Sequence, residues 1–582
     1  MFYAFVLGEK AMENNESKSS DFYIGRVSAV EKHPATVDEF FFWTQPDVIL
    51  SPFDIIVVER QDNSKTFGVV EEISHITDAE SFMASFISND FGDIDCPMNT
   101  ERVGMNYVRA QVVGNTENIY TPVHNGDKVS VGTADEISEA LGLISKNNTK
   151  SVACGYLEMY KEMGNRKVEL PIYVNSDFLV GPEGAHLNIS GISGLASKTS
   201  YAMFLLNALQ QKTMEDEDAR STAFIFLNVK GRDLLTVDQP AEKTELKPDD
   251  CNMYKVLGLE KNPFKYVSYF YPCKGEDGAG SHVRPETLKN QLKKGNAKRF
   301  AYTYEEDKES IELLFANIDD PQQTMESIVN YIISEQAPFD KVSDWNDMMK
   351  KIDELCQPGV NKNKEISVMS WRKFKRIIRK AIDNNDLFRN DINPLRKETR
   401  LEEEIKKIKR NNVFVIDVAQ QDENMQSFVF GTVMEAVQKL KLGDFDEELG
   451  AAKSEVPDRI VIFVDELNKY ASTDTPKSSP ILRRLLEIAE RGRSLGIILF
   501  SAEQFKSSIH SRITGNCAMH AYGRTNAIEV ATKSYSFVPQ TYKNMMTRLN
   551  PGQYIIQNPI FRSLLKIRFP RPLYHQDKGE TK

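Results

Sequence analysis

Six cysteines in 582 residues (Cys96, Cys154, Cys251, Cys273, Cys356 and Cys517) form no Cys-x-x-Cys pair, and the eight histidines show no His-x-His or His-x-x-x-His spacing. A disulfide framework and a zinc site are therefore not expected. No Gly-x-Ser-x-Gly elbow points to covalent catalysis. No stretch approaches the ~18 uncharged apolar residues of a membrane span. The first ten residues lack the basic start and small-residue cleavage site of a secretion signal. There is also no surplus of basic charge: 73 Lys+Arg stand against 84 Asp+Glu, a formal charge of -11. That argues against a dedicated nucleic-acid binder, although a locally basic channel is compatible with it. The expectation is a reduced, cytoplasmic, multi-domain protein without membrane contact. Its 41% hydrophobic content is that of a folded chain.

What is present falls into two textures. Up to residue 165 the chain shows short runs rich in β-branched and aromatic residues, such as Phe22–Val27, Glu39–Trp43, Ile55–Glu59 and Phe67–Glu71. Proline and Asp/Asn/Ser turns punctuate them, which predicts a small β-barrel. Phe40, Phe41, Phe42 and Trp43 offer more aromatic surface than so small a barrel is expected to bury, and so a docking surface. Over 166–283 and 411–574, buried apolar strands alternate with helices, the pattern of an α/β sheet. Between them, 284–410 reads as a helical insertion, and 575–582 as a polar, frayed tail. Two basic runs, Trp371–Ile382 and Lys289–Arg299, read as packed helices with solvated cationic faces or as phosphate-contacting surfaces.

The chemistry concentrates at three places. Asn188-Ile189-Ser190-Gly191-Ile192-Ser193-Gly194-Leu195-Ala196-Ser197-Lys198-Thr199-Ser200 runs from a strand through a glycine-bearing turn into an amphipathic helix. This is the context of a P-loop, in which backbone N–H groups and a helix N-terminus hold phosphates. Gly191, Gly194, Ala196, Ser197, Lys198, Thr199 and Ser200 are the candidate nucleotide-binding residues. Lys198 would reach the β/γ-phosphates, and Thr199 or Ser200 would hold Mg²⁺. The glycines sit one residue early, and Ser197 and Ile192 occupy places where the standard motif has glycine. Far downstream, the apolar run Ile460–Val464 ends in Asp465-Glu466, as a Walker B strand does. Asp465 is the candidate metal residue and Glu466 the candidate base for water. Further on, Gln504 stands after a strand as a possible γ-phosphate sensor. Arg491, Arg493 and Arg524 are candidate arginine fingers reaching a neighbouring subunit.

On these residues the chain resembles the HerA-type ATPases of the HerA/FtsK clade, which are ring-forming P-loop motors. Arg491-Gly492-Arg493-Ser494-Leu495-Gly496 and the strand to Gln504 are similar to that family's Gly-Arg-Lys-Phe-Gly stretch and its following strand. Phe67–Glu71 and Thr121–Val129 are similar to its barrel. The resemblance implies a RecA-like core with an N-terminal β-barrel, ATP and Mg²⁺ as cofactors, and a homo-oligomer, most simply a hexamer. It implies roles for Lys198, Asp465, Glu466, Arg493, Gln504 and Arg524. Where family members often carry Asp-x-x-Gly-Glu after the second core strand, this chain has Asn228-Val229-Lys230-Gly231-Arg232-Asp233, with Asp233 a candidate substitute. The altered loop is similar to that of bacterial defence-associated members, which work beside an effector such as a sirtuin-like NADase or a nuclease. Two functions stay open: a motor moving double-stranded DNA as translocase or helicase, and an ATP-gated platform that organises an effector with little or no translocation. A monomeric nucleotide-binding regulator is a third.

Overall fold

The computed structural model describes residues 23–577 apart from 89, 94, 96–102, 162, 164–165, 195–196, 217–219, 243–244, 317, 321, 335 and 360–365. The chain divides into two compact units, 1–140 with 159–166, and 141–158 with 167–582.

In the first unit, β1 (Tyr23–Val27), β2 (Glu39–Thr44), β3 (Ile55–Glu59), β4 (Lys65–Thr77), β5 (Gly104–Asn115) and β6 (Lys128–Val131) close into a barrel of order β1-β2-β5-β4-β3-β6. Alternation along each strand decides what is inside. Phe40 and Phe42 are fully buried with Val27, Ile56, Val58, Val70, Val108 and Val129. Gly68 is part of this packing: a Cβ there would lie 2.9 Å from Ile56 and from the Phe40 ring. The aromatic run of β2 is thus less of a docking surface than expected. Its outward members Phe41 and Trp43 are half-buried, and Phe41 stacks on Tyr107 at 5.4 Å. A group of large exposed apolar residues of this unit lies instead between β4 and β5, where Phe82, Met83 and Phe86 belong to a helix, Phe82–Ser88, with no buried residue.

The second unit is an α/β sheet. Its strands are β7 (Ser151–Met159), β8 (Val168–Asn175), β9 (Leu187–Ser190), β10 (Thr222–Asn228), β11 (Val267–Lys274), β12 (Gly278–Ala279), β13 (Ala297–Phe300), β14 (Glu398–Thr399), β15 (Val413–Asp417), β16 (Arg459–Asp465), β17 (Ile497–Glu503), β18 (Met519–Tyr522), β19 (Gln553–Gln557) and β20 (Leu565–Arg568). The order is β14-β13-β11-β15-β10-β16-β17-β9-β18-β19-β20-β7-β8, with β12 paired to β11. Along this order every pairing from β14 to β18 is parallel, antiparallel pairing begins at β19, and β12 lies antiparallel on β11. Parallel strands are covered on both faces, so they need apolar side chains in both directions. Every residue of β10, β15, β16 and β17 is buried accordingly. This is the RecA-like arrangement. The strand entering the glycine turn, β9, is separated from the acid-bearing β16 by β17 alone.

Two expectations need correction here. The stretch 284–410 is not purely helical: β13 and β14 extend the sheet edge. Its helices bury Trp345, Trp371, Phe374 and Ile378 in the same core as β10 and β16. The helix Val368–Ile382 keeps Arg372, Lys373, Arg376, Arg379 and Lys380 exposed, with Lys375 paired to Asp353 at 2.8 Å and Arg379 to Asp383 at 2.8 Å. Of the other basic run, Arg299 is 2% exposed and bonds the Glu276 and Arg396 carbonyls, so it is structural. The tail is not frayed as far as residue 577: Asp577 is buried and accepts from Arg284 at 2.8 Å. Among the described residues no helix is long and apolar enough to cross a membrane.

Candidate active site

The carboxyl ends of the parallel strands carry a row of buried polar residues: Asn188 and Ser190 on β9, Asn228 on β10, Asp417 on β15, Asp465 on β16 and Glu503 on β17. Burying such groups is costly unless they are paired. Some pair across strands, as when Asn228 Nδ2 donates to Asp417 Oδ1 at 2.7 Å and Asn188 Nδ2 donates to Glu503. The edge where α/β sheets bind ligands is thus the polar one.

The glycine turn hangs from two of these strand ends. Gly191 N donates to the Glu503 carbonyl at 3.2 Å, and Ile192 N to the Arg524 carbonyl at 2.8 Å. Gly194 has φ 81, a left-handed conformation that glycine adopts without cost. Ser197, where the standard motif has glycine, is also left-handed (φ 51, ψ 42), so this loop keeps the backbone form at a strain of about 1 kcal/mol. The helix Lys198–Glu215 begins at the next residue, and Ser197 makes no side-chain cap. The first N–H groups of a helix have no intrahelical partner and favour an anion. Lys198 is 6% exposed, and its Nζ donates to the Gly191 carbonyl at 2.9 Å, folding the ammonium back over the turn. Burial lowers its pKa, and the Asp465 charge only partly offsets this. Ala196 lies outside the described residues.

Thr199 Oγ1 donates to Asp465 Oδ2 at 3.0 Å, joining residues 266 apart in sequence. Ser200 takes no such place: its Oγ accepts from Gln576 at 3.5 Å. Asp465 is buried, and its Oδ1 accepts no hydrogen bond from the described residues. A buried, orphaned carboxylate oxygen beside a threonine hydroxyl fits a hard cation such as Mg²⁺. Glu466 follows in the left-handed region (φ 61), with its N–H held by the Ala502 carbonyl at 2.7 Å. That is strain of the kind stored at functional sites. Burial raises the Glu466 pKa, but the hydrogen bond and charge of Lys230 outweigh it and hold the carboxyl below its ordinary value.

Lys230 was not among the sequence candidates. Of the segment Asn228–Asp233 it is Lys230, rather than Asp233, that reaches the acid pair: its Nζ lies 3.1 Å from Asp465 Oδ2 and 2.9 Å from Glu466 Oε1. Glu503 was also missed. The position after the strand, Gln504, is half-buried, whereas Glu503 is fully buried at the strand end, paired in register with Ser190. No local sequence signal separates Glu503 from Gln504, since both follow the apolar run Ile497–Phe500 and only the extent of the strand decides between them. Arg524 brings its backbone to the glycine turn. Arg493 is elsewhere: exposed on the helix Pro480–Leu495, it donates to the Glu183 carbonyl at 3.0 Å. This is the start of β17, about 20 Å along the strand from Glu503. Within one chain Arg493 and Lys198 are therefore not brought together.

Burial pushes the Glu503 carboxyl up to about 8, with Asn188 and Ser501 opposing. Between its ordinary value of 4.5 and about 8 the unfolded chain is ionised there while the folded one keeps its proton. Stability should therefore fall as pH rises through that window, by up to about 1.4 kcal/mol per pH unit, and level off above it. Glu503→Gln should remove this slope, seen as a Tm gap between variant and parent that moves in the variant's favour from pH 5 to pH 8. An unchanged gap would mean that Glu503 is ionised in the folded protein.

Beside the start of the helix lies a cavity of about 580 Å³, lined among others by Ser197, Ser200, Lys247, Arg568, Arg571 and Tyr574.

No family model matches this chain, and no curated protein matches it. Among solved structures, it is similar to a bacterial conjugative coupling protein, TrwBdeltaN70 (10% identity, 70% of this chain and 89% of that one, TM-score 0.39). It is similar to VirB4 of Thermoanaerobacter pseudethanolicus (11%, 73% and 97%, TM-score 0.40). A third match is plasmid coupling protein TrwB in complex with ADP and Mg²⁺ (10%, 70% and 91%, TM-score 0.38). All lie below a TM-score of 0.5, so the chain's own geometry carries the functional reading.

Proposed function

We propose that this chain is a magnesium-dependent ATPase of the HerA/FtsK type that works as a ring of identical subunits, most simply a hexamer. The carrying observation is the Thr199–Asp465 hydrogen bond of 3.0 Å, which closes the glycine-turn helix onto the acid-bearing strand. In this reading Lys198 and the helix N-terminus bind the phosphates, and the nucleoside enters the adjoining cavity. Thr199 and Asp465 hold Mg²⁺, which when bound neutralises charge on the transferring phosphoryl group. Glu466 accepts a proton from the attacking water, and Gln504 lies beyond the next strand end as a water-positioning side chain. The test is Mg-ATP binding by calorimetry together with phosphate release. Failure to bind nucleotide at micromolar protein overturns the reading.

For the ring, Arg493 is proposed as a finger in trans, since it stands away from its own site, with Arg524 as the other candidate. An Arg493→Ala subunit should bind nucleotide yet poison neighbours when mixed with parent subunits, so activity falls more steeply than the mutant fraction. A linear mixing curve for both arginine variants, with oligomers intact, removes the trans assignment.

The motor reading takes double-stranded DNA as track. DNA should then stimulate hydrolysis, and the stimulation should weaken as salt rises, because phosphate contacts release counterions. The second reading is an ATP-gated platform that organises an effector, such as a sirtuin-like NADase or a nuclease in antiphage defence. Ser197 in a glycine conformation favours it, since a strained loop suits slow turnover. DNA-independent, slow hydrolysis with retained nucleotide binding would select this reading.

A further inference from the structure

We infer that Lys230 is a built-in counter-cation of the acid pair, competing with the metal at Asp465 and withholding Glu466 from water until it is displaced. The inference rests on the proposed ATPase reading and adds to it a positioning residue.

The geometry follows from the sheet. Strands β10 and β16 pair in parallel with Leu227 opposite Val464, so the residues leaving β10 run alongside Asp465 and Glu466. Lys230 comes three residues after Leu227, and its ammonium bridges both carboxylates at 3.1 and 2.9 Å. The partners are unequal in burial. The Asp465 and Glu466 side chains are 5% and 12% exposed, that of Lys230 49%. The buried carboxylates are fixed: Asp465 by the Thr199 hydroxyl, Glu466 by its left-handed backbone and its bond to the Ala502 carbonyl. The lysine is the partner free to move, on a long flexible stem at a half-exposed position.

Two consequences follow. The Lys230 ammonium lies on the same Asp465 oxygen that Thr199 contacts, so a divalent cation held by Thr199 and Asp465 meets a positive charge a few ångströms away. At a site sheltered from water that repulsion is strong, and the two cations disfavour each other. Glu466 Oε1, meanwhile, accepts from the Lys230 ammonium, whose positive charge makes the carboxylate a weaker acceptor for a water proton. Displacing Lys230 therefore removes the charge that opposes a metal at Asp465 and restores the base together. Because the ammonium is half-exposed, it can be drawn back into water while a divalent cation replaces it as counter-charge to the buried carboxylates, which makes Lys230 a point where partner contacts or nucleotide can gate turnover.

The experiment uses the full chain with Mn²⁺ as the metal probe and a non-hydrolysable ATP analogue, comparing the parent, Lys230→Met and Lys230→Arg. Analogue affinity is first measured without metal by calorimetry. Mn²⁺ affinity with analogue present is then measured by electron paramagnetic resonance. Lys230→Met should bind Mn²⁺ about tenfold tighter at unchanged metal-free analogue affinity, and Lys230→Arg should resemble the parent. Equal or weaker Mn²⁺ binding by Lys230→Met, with the analogue bound, overturns the inference alone. Loss of metal-free analogue affinity also overturns it, because Lys230 would then be a phosphate ligand. A parent chain that binds no analogue overturns the ATPase reading and this inference with it.

Discussion

Lys198→Ala is expected to abolish phosphate release, by at least ~10²-fold against the parent, and to weaken Mg-ATP binding. Lys198 is the first residue of the helix Lys198–Glu215, is 6% exposed, and has its ammonium folded onto the Gly191 carbonyl. A bound triphosphate at that turn would have this ammonium as its main counter-charge from the chain. In a site shielded from water such a charge counts for far more than it does on the surface. The fold should survive, because the helix core of Tyr201, Phe204 and Leu205 is untouched. The check is steady-state phosphate release with far-UV circular dichroism on the same sample. A folded variant hydrolysing at the parent rate would show that the glycine turn is not a phosphate site.

Glu466→Gln should separate binding from chemistry. Glutamine keeps the size and hydrogen-bonding capacity of the side chain but cannot take a proton from water, so turnover should fall at least ~10²-fold. Mg-ATP affinity should stay near the parent value, because Asp465 and Thr199, which would hold the metal, are unchanged. Lys230 keeps its contact to Asp465 at 3.1 Å, so the local charge arrangement is only partly relaxed. Pre-steady-state binding with a fluorescent nucleotide, beside steady-state hydrolysis, reads both quantities. Loss of binding together with activity would assign Glu466 a structural or metal-holding role instead.

Local pattern made much of this architecture legible. The apolar runs of β10, β15, β16 and β17 are continuous because strands covered on both faces require it, so they stood out without tertiary information. The barrel strands were equally clear from their alternation and turns. Lys198, Thr199 and Asp465-Glu466 could be named because each sits at a strand or helix terminus with a recognisable local context. The distance of 266 residues between Thr199 and Asp465 carried no local signal of contact, however, and the sheet order alone made them neighbours. Thr199 was separated from Ser200 as the hydroxyl at the acid pair in the same way.

What the sequence by itself determined is the chemistry available at each strand end: a lysine and hydroxyls after β9, two carboxylates at the end of β16, a carboxyl and an amide at the end of β17. Only the tertiary structure decided which of these meet. Lys230 leaves β10 in a segment that resembles any charged turn, and it becomes part of the acid pair because β10 lies beside β16 in parallel register. Glu503 became the buried carboxyl, and Gln504 the more exposed amide, because the strand continues past its apolar run, through Ser501 and Ala502, and ends on Glu503. Arg493 was set apart from Lys198 because the helix carrying it ends where β17 begins, at the opposite ends of the strands from the glycine turn. Sequence encodes side-chain type and local periodicity, but parallel pairing over long separations is a property of the whole packed sheet.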